Sequence, residues 1–333
     1  MIIAGIDEAG YGPLLGPLVV SATAFEVPGQ TLPTEPSSLP CLWKLLKSAV
    51  AKKPSTSARG KLLVADSKVV HHLSDGNKLL ERGALVMLAA MQPKLEVAGL
   101  CRSRLIDILG CTKHGLNDLP WYAADDPLVP LWADAGDLAI AKNVLRGAME
   151  NGADPVRIAA MRTAVLSERA YNSLVATTHN KGAALVSITM THLHWLYTQF
   201  AAQGLVVGVD KQGGRDRYTD LLLRTFPDAQ LKVIVESEAG SSYLVHEGPP
   251  IRQAIIHFRE KAESLFLPTA LASMLCKYLR EMCMASFNVW WGTQVPDLKP
   301  TAGYYQDGMR WLADVRPHLA RLNVHTANLV RSR

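Results

Sequence analysis

Two stretches of apolar and β-branched residues open the chain. Residues 1–6 form the first, and the residues from Gly16 to Val27 form the second. Between them, the glycines and proline of Gly10 to Pro13 are typical of a turn. The pattern therefore predicts that the chain begins with a β-hairpin.

Apolar residues recur with a period near 3.6 in two longer segments, Lys78 to Met91 and Asn180 to Gln203. This period is typical of a helix that buries one face. The second segment leads directly into Leu205 to Val209, an apolar run that ends at Asp210. A helix that precedes a buried strand indicates a partly parallel sheet covered by helices. We therefore expect an α/β fold with a mixed sheet flanked by helices.

Shorter patterns predict the remaining elements. We expect strands at Lys94–Cys101, Gln230–Val235, Ser241–His246 and Arg252–Phe258, and helices at Cys41–Lys52, Arg157–Thr178 and Pro268–Ala285. Proline suits the first turn of a helix, which supports the last of these helices.

Proline or glycine residues interrupt the pattern of apolar residues at about 28–60 and 103–178. We expect a core over residues 1–285, with an inserted subdomain at about 103–178 and smaller insertions at about 28–60 and 236–258. Residues 286–333 are expected to form a helical extension that packs on the core.

Composition narrows the class of protein. The chain has 333 residues, of which 48% are hydrophobic and 20% charged, so it can bury a substantial core. Its net charge of +5 suits a polyanionic partner such as nucleic acid. No apolar run approaches the roughly 20 residues that span a bilayer. Five cysteines without a C-x-x-C pair indicate reduced thiols. We expect a cytoplasmic monomer with no membrane partner.

Two conspicuous features are expected to be structural. His192 and His194 are two residues apart on a predicted helix, so they do not face each other as a metal-binding pair would. Trp290 and Trp291 are expected to form a hydrophobic seam between the C-terminal part and the core.

Three acidic residues stand at predicted strand ends: Asp7, Glu8 and Asp210. Adjacent side chains of a strand point to opposite faces, so Asp7 and Glu8 share a site only if the backbone bends, which Gly10 and Gly12 permit. A solvated turn is the alternative. Clustered carboxylates bind Mg²⁺ or Mn²⁺, and two such ions about 4 Å apart support phosphodiester hydrolysis.

The opening segment from Gly5 to Pro17 reads G-I-D-E-A-G-Y-G-P-L-L-G-P. It resembles the signature G-[IV]-D-E-A-G-R-G-P-L-A-G-P of the type 2 ribonucleases H, and of ribonuclease HII in particular. Later segments resemble other motifs of that family in the same order. They are Asp66 to Lys68 (D-S-K), Asp210 at its strand end, Lys261 to Lys277, and Gly303-Tyr304. The resemblance implies a ribonuclease H-like fold enlarged by insertions.

The same resemblance implies an activity and a set of metal ligands. It implies Mg²⁺- or Mn²⁺-dependent cleavage of the RNA strand in RNA–DNA hybrids or ribonucleotide-containing DNA duplexes, leaving 3′-hydroxyl and 5′-phosphate ends. Asp7, Glu8 and Asp210 would be metal ligands, with Glu263 as the fourth. The family usually has Asp at that fourth position, and Glu236 and Glu238 are rivals for the role.

The residues expected to contact substrate follow from the same motifs: Gly10, Tyr11, Gly12, Lys68, Arg215 and Tyr304. Tyr11 stands where the family has an arginine associated with sensing the ribonucleotide 2′-hydroxyl and its phosphate. Tyr11 cannot form a bidentate phosphate contact. We therefore expect continuous hybrids to be preferred over a single embedded ribonucleotide, unless Arg215 or Lys211 supplies the missing charge.

Two other functions remain open at this point. Tyr11 and Glu263 would suit a nucleic-acid-binding homologue that has lost catalysis, whereas the intact Asp7, Glu8 and Asp210 oppose it. A nuclease of the same fold could also act on a different nucleic acid, accommodated by residues 103–178.

Overall fold

A computed structural model describes residues 1–33, 38–57, 60–110, 113–152, 154–212 and 214–332. The insertion expected at 28–60 therefore lies partly outside the described residues. The strands of the described part are β1 (Ile2–Ala9), β2 (Leu18–Glu26), β3 (Val50–Ala51), β4 (Leu62–Leu63), β5 (Lys113–His114), β6 (Arg157–Leu166), β7 (Leu205–Asp210), β8 (Gln230–Ser237), β9 (Gly240–Glu247) and β10 (Arg252–Arg259).

The helices of the described part vary from one turn to 28 residues. They are α1 (Leu42–Leu45), α2 (Pro54–Ser57), α3 (Ser67–His71), α4 (Gly76–Met91), α5 (Arg102–Ile108), α6 (Pro120–Ala123), α7 (Ala135–Glu150), α8 (Glu168–Thr178), α9 (Lys181–Phe200), α10 (Thr219–Thr225), α11 (Leu267–Gln294), α12 (Tyr305–Val315) and α13 (Thr326–Leu329).

Eight of the strands form one mixed sheet in the order β5-β6-β2-β1-β7-β10-β9-β8. The hairpin of β1 and β2 is antiparallel, whereas β7 is parallel to both β1 and β10. Ile6 pairs with Val209, so Asp7 and Asp210 follow at the same edge of the sheet. The predicted mixed sheet flanked by helices is confirmed.

Helices cover both faces of the sheet, which explains why its central strands are apolar on both sides. In β1, Ile3 joins a core cluster with α4, α7 and α11, whereas Ile2, Ala4 and Ile6 join a second cluster with α8, α9 and α10. The alternation follows from the two-residue period of a strand. Consecutive side chains at the end of β1 therefore point alternately to the α11 face and to the α9 face of the sheet.

The longest helix, α11, lies directly against the two central strands. A Cβ atom at Gly5 would lie 2.1 Å from the backbone nitrogen of Thr269, and one at Gly208 would lie 2.4 Å from the Phe266 ring. The Thr269 hydroxyl donates to the Gly208 carbonyl at 2.9 Å. Glycine at these two strand positions therefore permits the helix to approach the sheet closely.

Two predicted elements are wrong, and a third is shorter than expected. Lys94–Cys101 contains no strand, because Gly99 adopts a φ of +83° and only Cys101 forms an isolated bridge. Arg157–Thr178 is not one helix, since Arg157–Leu166 is a strand and Ser167 then caps α8 through its side chain. The expected helix at 41–52 is confined to the four residues of α1.

Sheet pairing also corrects the expected grouping of elements. The segment 103–178, expected to be an insertion, contributes β6, which pairs with β2 along its whole length. The segment 236–258 contributes β9 and most of β10, which pair with each other and with β7. Both segments are therefore part of the main sheet, and α11 continues across the boundary expected at residue 285. The other domain boundaries stay predictions.

The aromatic residues near the C-terminus pack as expected. Trp291 is fully buried, with its ring 4.9 Å from that of Trp311 and 5.9 Å from that of Trp121. This seam joins the end of α11 to α6 and α12. Among the described residues, we find no helix that is long and apolar enough to cross a membrane.

Replacing Gly5 tests the close approach of α11. Gly5→Ala places a methyl group against the Thr269 backbone, so we expect a loss of about 1–3 kcal/mol in the free energy of unfolding. Gly292→Ala is the control. Gly292 lies in α11 and faces open space, so this change is expected to be neutral or stabilising. Urea denaturation measures both. Equal stability of Gly5→Ala and wild type would contradict this packing.

The buried His192 predicts a pH dependence of stability. Burial, and secondarily Arg162, lower its pKa to about 4, and its Nε2 lies 3.1 Å from the Val20 carbonyl. The unfolded chain takes up this proton below about pH 6.5, whereas the folded chain does not until about pH 4. Stability therefore falls as the pH drops through that window.

We expect His192→Gln to flatten this fall by up to about 1.4 kcal/mol per pH unit, measured by denaturation at pH 4.5–7. Buried carboxylates with raised pKa values make the protein more stable as the pH falls, so the slope of stability against pH in wild type combines both effects. The test therefore compares the slope of His192→Gln with that of wild type. The exposed His325→Gln is the matched control. An unchanged slope in His192→Gln would show that this histidine titrates alike in both states.

Candidate active site

Strand register sets the positions of the acidic residues. Asp7 and Asp210 lie near the ends of neighbouring parallel strands. Ile6 and Val209, which precede them, face the α9 side, so by alternation both acids point to the α11 side of the sheet. Glu8 is in the alternate position and faces the α9 side. The chain turns after β1, where Gly10 has a φ of +90°.

Asp7 is 8% exposed, and its surroundings come from α11. Ser273 gives a hydrogen bond to its carboxylate, and the Cys276 thiol donates to its backbone carbonyl at 3.2 Å. Its Oδ1 also accepts the Glu8 amide at 2.8 Å. Burial, followed by the charges of Glu8 and Asp210, raises the pKa of Asp7 well above its usual value.

Glu8 is the second member of the cluster. Burial and the nearby Asp210 charge raise its pKa to about 7, although a hydrogen bond from Gln212 and the charge of Lys68 act in the opposite direction. Its Oε2 is buried and has no hydrogen-bond partner among the described residues. An unpaired buried carboxylate oxygen is costly unless a cation or donor satisfies it.

Glu263 lies beside Asp210 on the α11 side. The Ala262 amide donates to Asp210 Oδ1 at 3.2 Å, which fixes the one-turn helix Ala262–Ser264 against the end of β7. Burial raises the pKa of Asp210, and it raises that of Glu263 with further contributions from Asp210 and Asp66. Asp210 is therefore close enough to Asp7, Glu8 and Glu263 to raise the pKa of each.

The rival acids lie elsewhere. Glu236 is on the edge strand β8, three strands from β7, where it accepts hydrogen bonds from Thr219 at 2.9 Å and Tyr243 at 2.5 Å. Glu238 is exposed, and its backbone carbonyl accepts from Lys211. The structure thus places Glu263, and neither rival, in the cluster.

Lys68 lies at the open side of the acidic cluster. Asp66 caps α3 by accepting the Lys68 amide at 2.9 Å, and the Ser67 and Ser273 hydroxyls are hydrogen bonded to each other at 2.9 Å. These bonds attach the D-S-K segment to α11. The Lys68 side chain is exposed, and its charge lowers the pKa values of Glu8, Asp210 and Glu263.

Buried charges hold the turn that contains Gly10, Tyr11 and Gly12. Arg331 donates to the Gly10 carbonyl, and Arg280 donates to the carbonyls of Pro17 and Leu15, each at 3.1 Å. On the other side, Glu168 accepts the Gly16 amide at 3.1 Å and the Tyr122 hydroxyl at 3.0 Å. The shape of the turn therefore depends on helices α8 and α11 and on the C-terminal residues. Gly12 is exposed.

The remaining predicted contact residues divide into two groups. Tyr11 and Arg215 border one pocket beside the turn, although Gly213 lies outside the described residues. Tyr304 is 51% exposed and has Lys277 Nζ at 5.8 Å from its ring centre. Lys211 is not available for a phosphate, since its Nζ lies 2.6 Å from Asp216 and donates to Glu238.

Sequence reasoning missed several residues that shape the site. Ser273 and Cys276 follow α11 at helical spacing and face Asp7, a pattern that the apolar sequence around them conceals. Gln212 stands two residues after Asp210, but its hydrogen bond with Glu8 forms only when the end of β7 lies beside that of β1. Arg331 gave no signal, because nothing in its local sequence indicates a contact with Gly10.

The donor set suits a hard divalent cation. Mg²⁺ and Mn²⁺ prefer carboxylate oxygens, and Asp7, Glu8, Asp210 and Glu263 supply them, with Glu8 Oε2 lacking any partner among the described residues. However, no group of three or more His, Cys, Asp or Glu side chains in the described residues is placed so that it could hold an ion. The residues fit the metal chemically, and their side chains must turn toward one another to bind it.

Divalent cations should stabilise the protein through this cluster. In Mn²⁺ we expect the melting temperature of wild type to rise by about 2 °C or more, because the ion binds only the folded state. Asp210→Asn and Glu263→Gln should abolish this rise. Without the ion, Asp210→Asn should melt above wild type, since it removes one of the mutually repelling charges.

Glu236→Gln is the matched control, because it changes a carboxylate that lies outside the cluster. Differential scanning calorimetry with EDTA and with Mn²⁺ measures all four proteins. A Mn²⁺ response that disappears in Glu236→Gln and persists in Glu263→Gln would reassign the fourth ligand.

We compared the chain with known proteins. No protein-family model and no curated protein sequence matches this chain. Similar solved structures include RNase HII from Archaeoglobus fulgidus in complex with PCNA, at 13% identity and a TM-score of 0.41, covering 100% of this chain and 95% of that one. Ribonuclease H2 from Pyrococcus horikoshii OT3 has 13% identity and a TM-score of 0.43, covering 99% and 92%. Bst-RNase HIII in complex with Mn²⁺ has 13% identity and a TM-score of 0.37, covering 99% and 66%.

Proposed function

We propose that this protein is a divalent-metal-dependent endonuclease that hydrolyses the RNA strand of RNA–DNA hybrids. The observation that carries the proposal is that the parallel neighbours β1 and β7 carry Asp7, Glu8 and Asp210 at their adjoining ends, with Glu263 next to the Ala262 amide that donates to Asp210. These acids lie within the segments whose sequence resembles the type 2 ribonucleases H. Cleavage is expected to leave 3′-hydroxyl and 5′-phosphate ends.

The four carboxylates would hold Mg²⁺ or Mn²⁺. When bound, such ions lower the pKa of an attacking water and stabilise charge on the leaving oxygen. The chain contributes a fixed arrangement of acids. Ser273 orients Asp7, the Ala262 amide orients Asp210, and Gln212 orients Glu8. Oriented ligands reduce the reorganisation needed as the reaction proceeds.

Positive and aromatic groups at the site suit a nucleic-acid strand. Lys68 is exposed beside the carboxylates, where its ammonium group can approach a backbone phosphate. Tyr304 presents half of its ring to solvent next to Lys277, which suits stacking on a base or sugar. The net charge of +5 favours the same class of partner.

Other parts of the proposal stay predictions from the sequence. Tyr11 replaces a charged residue of the family pattern, so we expect continuous hybrids to be cleaved faster than a single ribonucleotide embedded in DNA. A monomeric state and a cytoplasmic location are likewise expected.

A panel of labelled duplexes tests the activity. Wild type is incubated with Mg²⁺ or with Mn²⁺ and four substrates: an RNA–DNA hybrid, DNA with one ribonucleotide, DNA and double-stranded RNA. We expect cleavage of the RNA strand of the hybrid and none in EDTA. Preferential cleavage of DNA or of double-stranded RNA would overturn the proposed substrate, and tight hybrid binding without any cleavage would favour a non-catalytic homologue.

Asp210→Asn should reduce cleavage of the hybrid by at least about 100-fold, because it removes a ligand charge with little change in volume. Hybrid affinity in EDTA should stay within about twofold of wild type. Glu236→Gln should cleave normally, since that residue lies on the far edge strand. An Asp210→Asn protein that folds, binds and still cleaves at the wild-type rate would refute the assigned site.

A further inference from the structure

A pocket of about 470 Å³ lies between the turn after β1 and the N-terminus of α9. Tyr11 forms one wall, Lys181 and Asn180 form the helix side, and Gln212 and Arg215 come from the segment after β7. Gln212 also hydrogen bonds with Glu8, so the pocket adjoins the acidic cluster through this one side chain. None of the motifs in the sequence predicted Lys181 or Gln212 as contact residues.

The rim of the pocket carries uncompensated positive charge. Lys181 and Arg215 are exposed, and neither lies within 4 Å of a carboxylate of the described residues. The Lys181 ammonium lies 5.1 Å from the centre of the Tyr11 ring, a cation–π contact that places it over the pocket wall. Since Lys211 is paired with Asp216, Lys181 and Arg215 are the cations available here.

The N-terminus of α9 adds polar hydrogens to the same rim. Asn180 Oδ1 accepts the amides of Gly182 at 2.7 Å and of Ala183 at 3.1 Å. The capping leaves the Lys181 amide, at the first helical position, without an intrahelical partner. Together with the two cations, this helix end favours an anion with several oxygens.

Gln212 supplies a second, independent observation. It is 6% exposed, and its Nε2 donates to the Thr189 hydroxyl at 2.8 Å. Because that hydroxyl donates to the Leu185 carbonyl at 3.2 Å, it must accept from Gln212, which fixes the orientation of the amide. Gln212 Oε1 is then a buried acceptor without a partner among the described residues. The pocket wall thus lacks one hydrogen-bond donor.

A ribonucleotide offers both groups that this pocket lacks. Its phosphate is the anion, and its 2′-hydroxyl is a donor that DNA does not have. We propose that the pocket binds one ribonucleotide unit of the cleaved strand, with the phosphate between Lys181 and Arg215 and the 2′-hydroxyl donating to Gln212 Oε1. The proposal rests on the proposed nuclease function, and it makes Gln212 the residue that distinguishes ribose from deoxyribose.

The phosphate contact is tested by binding. Fluorescence anisotropy of an RNA–DNA hybrid, in EDTA and at several salt concentrations, is measured for wild type, Lys181→Ala and Arg215→Ala. Each variant should bind about five- to tenfold more weakly and lower the logarithmic salt slope by about one. Lys232→Ala, an exposed lysine of β8, is the matched control and should behave as wild type.

The sugar contact is tested with modified substrates. A 2′-fluoro group at a single ribonucleotide keeps the size of the position but removes the donor, and this substitution is moved along the strand. For wild type, one position should lower kcat/KM about tenfold or more. In Gln212→Met that penalty should disappear, because neither the hydroxyl nor the fluorine then has an acceptor to meet. Lys232→Ala, which leaves both Gln212 and its partner Thr189 unchanged, should keep the penalty.

The outcomes separate this proposal from the activity on which it rests. If wild type cleaves the hybrid but Lys181→Ala, Arg215→Ala and Gln212→Met retain wild-type affinity, salt slope and fluorine penalty, the pocket assignment is wrong and the nuclease stands. If Gln212→Met lowers cleavage equally for every substrate, Gln212 only positions Glu8 and the sugar contact is refuted. If wild type cleaves nothing, the nuclease proposal fails, and unchanged hybrid affinity in Lys181→Ala would overturn the pocket as well.

Discussion

The contact between the first turn of α11 and the middle of the sheet is the interaction on which the site depends. Gly5 and Gly208 carry no side chain where Thr269 and Phe266 press against the strands. Because the helix starts in this position, residues one and two turns further along reach the end of β1. Ser273 then meets Asp7 and Ser67, so one packing contact places three sequence motifs together.

The carboxylate cluster acts against stability. Burial raises the pKa values of Asp7, Glu8, Asp210 and Glu263, and the Asp210 charge raises those of the other three further, which means that the charged forms are held at a free-energy cost. The large apolar core on both faces of the sheet offsets this cost. A functional site that lowers the stability of the fold is typical of proteins whose site charges are stabilised only when a ligand binds.

The sequence predicts the strands that carry the acids because each has a continuous apolar run that ends in a turn. It fails at Arg157–Leu166, where the alternation of apolar and polar residues also suits a helix and only pairing with β2 decides the outcome. It finds Asp7, Glu8, Asp210 and Lys68 by motif. It cannot find Gln212 or Lys181 as partners, because they meet Tyr11 only after α9 and β7 have packed.

The environment of Glu263 shows a related difficulty. Only the resemblance of the run after Glu263 to the family motif favours it over Glu236 and Glu238, since strand ends alone do not decide: Glu236 lies in β8, and Glu238 and Glu263 both follow strands. Strand order separates them, because β10 lies next to β7 and β8 lies at the edge of the sheet. Sheet order depends on long-range pairing, which no local pattern encodes.

The contact between Arg331 and the Gly10 carbonyl joins positions 321 residues apart in the chain. During synthesis, β1 and the glycine-rich turn therefore leave the ribosome long before the arginine that holds the turn. Until Arg331 is in place, the Gly10 carbonyl lacks this donor, so the turn beside Tyr11 reaches its final shape only through a late, long-range contact.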